Sequence, residues 1–334
     1  MEFNFLQKSI LATVAYYDIL DYPLTDFEVY KYLINPLHVI SLTEGARDLQ
    51  LEPFGEVTLL DVLNCLASSQ IREFVSEKNG FYFLKGRQKL YEQRIERQKI
   101  AAFRWKKVYK VLRILQVCPF VKMVAVCNSL AIDNSKEEAD IDFFIIIRKN
   151  RIWLTRLWVT FLTLIMGEWR HKKRIVNKIC LSFYITDEAL NLKQIAIRPH
   201  DIYLVNWIAQ LKPIYCENQI YRDFIFKNLW VKSYLINFGK IFNHYHPEFK
   251  KNKFLSFVKI FSEKILGSRF GNLAEKLLRF VQKRRIARKM IQHEIPTAVV
   301  VSDKMLKFHE NDKRDFFQKK FSENIKELLA IDQI

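Results

Sequence analysis

The segment VAVCNSLAIDNSKEEADIDFFIII, residues 124–147, decides how this chain is interpreted. An apolar run, VAVC, is followed by a polar loop, and Asp140-Ile141-Asp142 then opens a second apolar run, FFIII. Short runs rich in Val, Ile and Phe that are bounded by polar turn residues are typical of buried strands. The segment therefore predicts two strands, the second of which starts with a pair of carboxylates.

The spacing of the two aspartates indicates a cation site. Residues i and i+2 of a strand project from the same face, so Asp140 and Asp142 would repel one another unless a cation lay between them. Mg²⁺ takes oxygen ligands and keeps positions open for substrate phosphates. Upstream, Asn128-Ser129 follows the first strand, and a serine with exposed backbone amides at a helix start predicts a phosphate site. Without this context, the pair would be interpreted as the solvated edge of a strand.

The pattern resembles the polymerase-beta-like nucleotidyltransferase superfamily, whose signature is a strand, Gly-Ser, a spacer and Asp-x-Asp on the next strand. Here ten residues separate Ser129 from Asp140. The resemblance implies an α/β (α+β) core with a mixed sheet, and transfer of a nucleoside monophosphate from a nucleoside triphosphate to an acceptor hydroxyl. Asp140 and Asp142 would be the catalytic residues and would bind Mg²⁺ (or Mn²⁺), while Asn128 and Ser129 would hold the phosphates.

Two features depart from this pattern and leave two functions open. Asn128 stands where the family has glycine, although asparagine tolerates a left-handed backbone. The family's third carboxylate lies within a later strand, but the corresponding strand here offers only Ser182, with Asp187 and Glu188 just past its end. The chain is therefore interpreted as an active transferase or, alternatively, as an inactive adaptor of the same fold that binds a nucleotide or polyanion.

Two groups of basic residues are candidates for contacts with anions. Arg148 and Arg151 follow the second strand and are predicted to contact the triphosphate, the alternative being a solvated turn. Residues 240–291 carry 14 Lys/Arg against 3 Asp/Glu, whereas residues 1–100 carry 11 against 14. This asymmetry predicts that the C-terminal helices face nucleic acid or another polyanion such as anionic lipid. A packed helix pair with a solvated basic face is the alternative.

Residues 1–90 have the element order of a winged-helix domain, which they resemble. Three helix candidates, the second of which begins with a capping box of Thr25 and Glu28, precede a hairpin signal at Lys78-Asn79-Gly80. The third candidate, residues 57–69, contains no Lys or Arg. Because a recognition helix needs cations to neutralise phosphates, this favours a structural or protein-contact role over DNA binding.

The rest of the chain completes a four-part division. A long basic helix, residues 91–120, connects the N-terminal domain to the nucleotidyltransferase-like domain, residues 121–232. Residues 233–334 are predicted to form a basic, mainly helical C-terminal region whose last helix is exposed. From residue 200 onward, the sequence predicts helices.

Composition predicts a cytoplasmic protein without a membrane span. The apolar helical stretch at residues 157–167 is about half as long as a bilayer requires. The start of the chain lacks the basic and apolar regions of a signal peptide. The five cysteines are scattered without a C-x-x-C pair, which argues against disulfides and structural zinc and favours a reducing compartment.

Overall fold

The chain folds into helices around two β-sheets. A computed structural model describes residues 3–39, 56–171, 174–217, 219–240, 249, 252–288, 297–309 and 312–330. The α-helices are α1 (Phe5–Ile19), α2 (Asp26–Lys31), α3 (Leu59–Ala67), α4 (Ser69–Arg72), α5 (Leu90–Leu115), α6 (Asn128–Ala131), α7 (Ile152–Ile165), α8 (Ile202–Gln210), α9 (Ile220–Lys227), α10 (Lys253–Leu266), α11 (Arg269–Ala287) and α12 (Arg314–Ala330). The strands are β1 (Leu24–Thr25), β2 (Val75–Lys78), β3 (Phe81–Leu84), β4 (Val121–Val126), β5 (Ile141–Ile147), β6 (Ile179–Thr186), β7 (Lys212–Cys216), β8 (Val299–Val301) and β9 (Met305–Phe308).

The N-terminal part contains a small antiparallel sheet in the order β1-β3-β2. Helix α2 begins with the predicted capping box, in which Thr25 accepts from the Glu28 amide and Glu28 accepts from the Thr25 amide. The predicted hairpin is also confirmed. Asn79 and Gly80, with φ of 52° and 80°, form the two-residue left-handed turn that joins β2 to β3.

The larger sheet is mixed and has the order β7-β4-β5-β6-β9-β8. Strand β5 runs antiparallel to β4 and parallel to β6, which places the starts of β5 and β6 at the same edge. About 54% of the described residues are helical. The predicted mixed α/β class is therefore confirmed.

The prediction that all segments after residue 200 are helices was wrong, because three of these segments are strands. Strand β7 pairs with β4, and β8 and β9 add to the sheet beyond β6. These strands give weak sequence signals because β7 contains Pro213 at a sheet edge and β8 and β9 are only three and four residues long. The predicted C-terminal region thus supplies two strands of the central sheet.

The last helix, α12, is exposed as predicted only on its charged face, because its apolar face packs on the N-terminal and central elements. Phe321 and Ile325 are fully buried, and the Phe321 ring lies 5.9 Å from that of Tyr16 in α1. The amide of Ile202, at the start of α8, donates to the Gln318 side chain over 3.1 Å. These contacts fix the segment that follows β9 beside the sheet.

Helix α5 anchors the loop between β4 and β5 through buried arginines. Arg97 donates to the Asn134 side chain over 2.9 Å. Arg104 donates to the carbonyl of Glu137 over 2.8 Å and to the side chain of Asn177 over 2.7 Å. Because Glu137 lies three residues before Asp140, these bonds position the start of β5.

Helix α7 covers one face of the larger sheet with Trp153, Leu154 and Val159, which are buried. Its opposite face exposes apolar side chains, among them Phe161 and Ile165. Nowhere in the described ranges does a helix combine the length and apolar character that crossing a bilayer requires.

Candidate functional site

The two aspartates of the sequence motif lie at one edge of the mixed sheet. Asp140 directly precedes β5 and Asp142 is its second residue, where it pairs with Cys180 of β6. One side-chain atom from each of Asp140, Asp142 and Cys180 lies within 4.8 Å of the others. The predicted convergence of the two carboxylates is therefore present, and the neighbouring strand adds a thiol to the group.

Asn128 joins the two halves of the motif. Its backbone is left-handed, with φ of 56°, and its side-chain amide donates to Asp142 Oδ2 over 2.8 Å. The Asn128 carbonyl oxygen accepts from Trp207 Nε1 at 2.9 Å and from the Tyr203 hydroxyl at 3.4 Å. Asn128 therefore holds the end of β4, the start of β5 and helix α8 together.

Ser129 lies next to this contact, in the one-turn helix α6. It is half-buried, and its carbonyl accepts from the Asn134 amide over 2.8 Å. This bond closes the turn that leads into the loop before Asp140. Ser129 thus adjoins the residue that contacts Asp142, but it is not among the described residues that line the cleft below, and its contact with phosphates stays a prediction.

The electrostatics of the carboxylate pair favour an added positive charge. Burial and the neighbouring Asp140 raise the pKa of Asp142 to about 6. The guanidinium of Arg170 lies 2.9 Å from Asp140 Oδ2 and donates to Cys180 Sγ over 3.1 Å. Burial raises the pKa of the Cys180 thiol, and Asp142 raises it further, so this thiol stays protonated.

These groups fit a hard divalent cation. A cation would relieve the repulsion that raises the pKa of Asp142, and carboxylate oxygens are the ligands that Mg²⁺ and Mn²⁺ prefer. A thiol does not suit these ions, so the oxygens would come from Asp140 and Asp142. Arg170 competes for Asp140, but its side chain is 42% exposed and has room to move away.

Asp142 lines a cleft of about 1010 Å³, and Asp140 lies beside Asp142. The cleft walls include Trp207 and Tyr203, together with cationic side chains that sequence reasoning did not select. These cationic residues are Arg156, Arg170, Lys307, Lys313 and Arg314. The arrangement offers carboxylates for a cation and cationic side chains for anionic groups.

The far wall of the cleft is held by a buried ionic network. Asp312 lies 3.2 Å from Lys307 Nζ and 2.8 Å from Arg314 Nη2, and Asp201 lies 3.2 Å from Arg314 Nη1. Burial and Arg314 lower the pKa of Lys307 to about 8. Sequence reasoning missed Lys307, Asp312 and Arg314 because they are about 165 positions or more from Asp142, in a region predicted to be helical.

Arg148 and Arg151 do not reach the carboxylates, so their predicted contact with the same triphosphate is corrected. Both follow the end of β5, whereas Asp142 lies at its start, and a seven-residue strand separates its ends by about 20 Å. The Arg148 guanidinium lies 5.3 Å from the centre of the Phe120 ring. Arg151 is buried and donates to the Asn272 side chain over 2.6 Å, which anchors α11.

Strand β6 contains no Asp or Glu, so the third carboxylate that the family pattern places on this strand is absent. Cys180 and Ser182 line the cleft instead, and Ser182 Oγ lies 3.3 Å from His309 Nε2. Asp187 accepts from the Lys149 amide over 2.9 Å at the opposite end of the sheet. It is therefore remote from the site, as the sequence indicated.

Comparison with protein-family models, curated proteins and solved structures found no match to the chain. The class of protein is consequently argued from the site and its sheet.

Proposed function

We propose that the chain is a protein of the polymerase-beta-like nucleotidyltransferase fold that transfers a nucleoside monophosphate from a nucleoside triphosphate to an acceptor hydroxyl. One observation carries the proposal: the Asn128 side chain is hydrogen-bonded to Asp142, so the two halves of the motif meet at one sheet edge. The antiparallel pair β4–β5 and the parallel neighbour β6 support it, because they bring the motif and its expected third strand together.

We also propose that residues 1–90 form a winged-helix-like domain and that the protein is cytoplasmic. The capped helices and the β2–β3 hairpin support the first of these. Helix α3 carries Asp61 and no basic residue, which supports a protein-contact role for this domain.

The site's own residues have distinct roles in this reaction. Asp140 and Asp142 would hold Mg²⁺, which, when bound, supplies positive charge to the phosphates. Arg170 and Lys313 line the cleft and would bind phosphate oxygens, while Arg314 is held by Asp201 and Asp312. The buried bonds of Asn128 to Asp142 and Trp207 orient the carboxylate before substrate binds.

Calorimetric titration of ATP, GTP, CTP and UTP, each with and without Mg²⁺, tests the proposal. We expect binding that requires the metal and that is lost in Asp142→Asn. Arg148→Gln is a matched control, because it removes an exposed charge at the far end of β5 and should leave binding intact. Labelled nucleotide would then be used to detect transfer. Nucleotide binding that neither requires Mg²⁺ nor is changed by Asp142→Asn would refute the proposed site.

A second function, binding without turnover, is favoured by one observation. Cys180 and Ser182 stand on the strand where the third carboxylate is expected, so β6 supplies no acid to activate an attacking hydroxyl. Metal-dependent nucleotide binding without transfer to any protein, nucleic acid or small-molecule acceptor would support this adaptor. Transfer that is lost in Asp142→Asn would support the enzyme.

A further inference from the structure

The helical hairpin formed by α10 and α11 has its polarity reversed. In an ordinary surface helix the apolar stripe faces the core and the charged face meets solvent. Here the most deeply buried side chains are charged: Lys259 in α10 and Glu275 in α11. Most of the large apolar side chains of both helices face away from the protein.

Specific hydrogen bonds hold the polar face inward. Lys259 Nζ donates to the Tyr215 hydroxyl over 3.0 Å and forms an ion pair with Glu217. On α11, Glu275 accepts from the backbone amides of Trp153 and Leu154 at 3.0 and 2.8 Å. Turning the apolar face inward would break these bonds and leave their buried partners, such as the Trp153 and Leu154 amides, unpaired, which costs free energy in a low-dielectric interior. The outward orientation of the apolar face is therefore fixed by the fold.

The outward face is aromatic and extensive. Its exposed apolar residues are Phe254, Phe257, Ile260, Phe261 and Ile265 of α10, and Phe270, Leu273, Leu277, Phe280 and Val281 of α11. The rings of Phe257 and Phe261 stack 6.4 Å apart. With most of each side chain exposed, the apolar area is on the order of 1,000 Å², above the few hundred Å² usual for the largest patch of a monomer. A face of this size indicates an interaction surface.

Positive charge surrounds this apolar face. The two helices carry nine Lys/Arg and two Glu. Both Lys259 and Glu275 are buried, so the charge that reaches solvent is predominantly positive. The exposed cations are Lys253, Lys264, Arg269, Lys276, Arg279, Arg284 and Arg285.

The combination of apolar and basic groups selects one kind of partner. A second copy of this chain would bring two basic surfaces together, which opposes association. A nucleic-acid backbone would pair with the cations, but it would leave the aliphatic side chains Ile260, Leu273 and Leu277 exposed to water. An anionic lipid surface satisfies both groups, because phosphates lie at the level of the cations and acyl chains take up the apolar face.

We propose that the α10–α11 hairpin is a peripheral membrane-binding surface for anionic lipid bilayers. The hairpin lies in the interface without crossing the bilayer, with its aromatic face in the acyl region and its Lys and Arg side chains at the phosphates. Helix α7 is hydrogen-bonded to α11 through Arg156 and Gln282 over 2.6 Å and exposes further apolar residues such as Phe161. The chain would thus work at a membrane surface.

Vesicle flotation with the full chain tests this proposal, using phosphatidylcholine vesicles with and without 30% phosphatidylglycerol (about one lipid in three, enough to give a strongly anionic surface). We expect flotation only with the anionic vesicles. The variant Phe257→Glu/Leu273→Glu, which replaces side chains that are 65% and 67% exposed, should abolish it. The variant Arg284→Gln/Arg285→Gln should weaken partitioning by roughly fivefold for each lost cation.

A matched control separates this surface from general stickiness. Phe226→Glu replaces a side chain that is equally exposed, at 67%, but lies on α9, and it should float like the wild type. Circular dichroism checks that each variant folds. If Phe257→Glu/Leu273→Glu does not, the charge variant decides the question.

Three results would overturn the proposal: no flotation with anionic vesicles, equal flotation with neutral ones, or flotation unchanged in both hairpin variants. Concentration-dependent dimers lost in Phe257→Glu/Leu273→Glu without vesicle binding would identify a second copy as the partner. Salt-dependent DNA or RNA binding lost in Arg284→Gln/Arg285→Gln, again without vesicle binding, would identify nucleic acid. Flotation needs neither nucleotide nor metal, so its result is independent of the proposed transferase activity.

Discussion

Replacing Asn128 separates the two roles that this residue has at the site. Its amide donates to Asp142 over 2.8 Å and its carbonyl oxygen accepts from the buried Trp207 indole over 2.9 Å, while its backbone has a φ of 56°. Asn128→Gly removes both side-chain bonds but relaxes the left-handed backbone. Asn128→Ala removes the same bonds and adds steric strain between Cβ and the backbone.

The expected losses follow from these contacts. A hydrogen bond to a carboxylate contributes about 1.5–3 kcal/mol, and leaving a buried donor such as Trp207 Nε1 unpaired costs about 1–3 kcal/mol. Asparagine already tolerates the left-handed backbone, so glycine gains little there, whereas alanine adds about 1 kcal/mol of strain. We therefore expect Asn128→Gly to lower the free energy of unfolding by about 2.5–6 kcal/mol and Asn128→Ala by about 1 kcal/mol more.

Urea denaturation of the three proteins measures these differences. Asn79 provides the control, because it is exposed and has a similar φ of 52° in the β2–β3 turn. Asn79→Gly should be close to neutral, and Asn79→Ala should cost about 1 kcal/mol for the backbone alone. A loss below about 1 kcal/mol for Asn128→Gly would show that the two hydrogen bonds do not stabilise the fold. Equal stability of Asn128→Gly and Asn128→Ala would contradict the left-handed backbone.

Two further predictions concern the cleft. Arg170→Gln removes the cation beside Asp140, so the affinity for Mn²⁺ alone, measured by calorimetry, should rise by up to about fivefold, which corresponds to the loss of a half-exposed ion pair. The control variant Arg148→Gln should leave the affinity for Mn²⁺ unchanged. Unchanged or weaker affinity in Arg170→Gln would contradict competition between Arg170 and the metal for Asp140. Burial lowers the pKa of His309 to about 3, below the ordinary value of about 6.5, so as pH falls the unfolded chain takes up this proton first. The contribution of His309 to stability is complete above about pH 6.5 and is lost toward pH 3. In this window the free energy of unfolding of the wild type should fall by up to about 1.4 kcal/mol per pH unit relative to that of His309→Gln. Parallel stability–pH profiles of the two proteins would refute the burial of a neutral His309 ring.

The sequence alone determined the local features of the site. The i, i+2 spacing of Asp140 and Asp142 and the apolar run after them require no tertiary information, because strand geometry places both side chains on one face. The left-handed conformation of Asn128 was likewise compatible with its residue type. The capping box at Thr25 and the Asn79-Gly80 turn formed as predicted, since their hydrogen bonds and dihedral angles involve neighbouring residues.

The composition of the cleft depended on contacts between distant segments. Arg170, Cys180 and Arg314 meet Asp142 around one cleft only because β5 and β6 are parallel and α12 returns beside β9. Arg148 and Arg151 were placed wrongly because closeness in sequence does not show at which end of a strand a residue lies. Short edge strands such as β7 and β8 were missed because pairing with the sheet, and not their own propensity, stabilises them.

In the α10–α11 hairpin, the sequence determined the helices and the tertiary structure decided which of their faces is buried. The basic helix pair predicted for the C-terminal region is present as Lys253–Leu266 and Arg269–Ala287. Periodicity defines two faces of a helix but does not state which one is buried. Partners for Lys259 and Glu275, supplied by β7 and α7, hold the polar face inward and leave the aromatic face exposed, because the opposite orientation would leave buried groups such as the Trp153 and Leu154 amides unpaired.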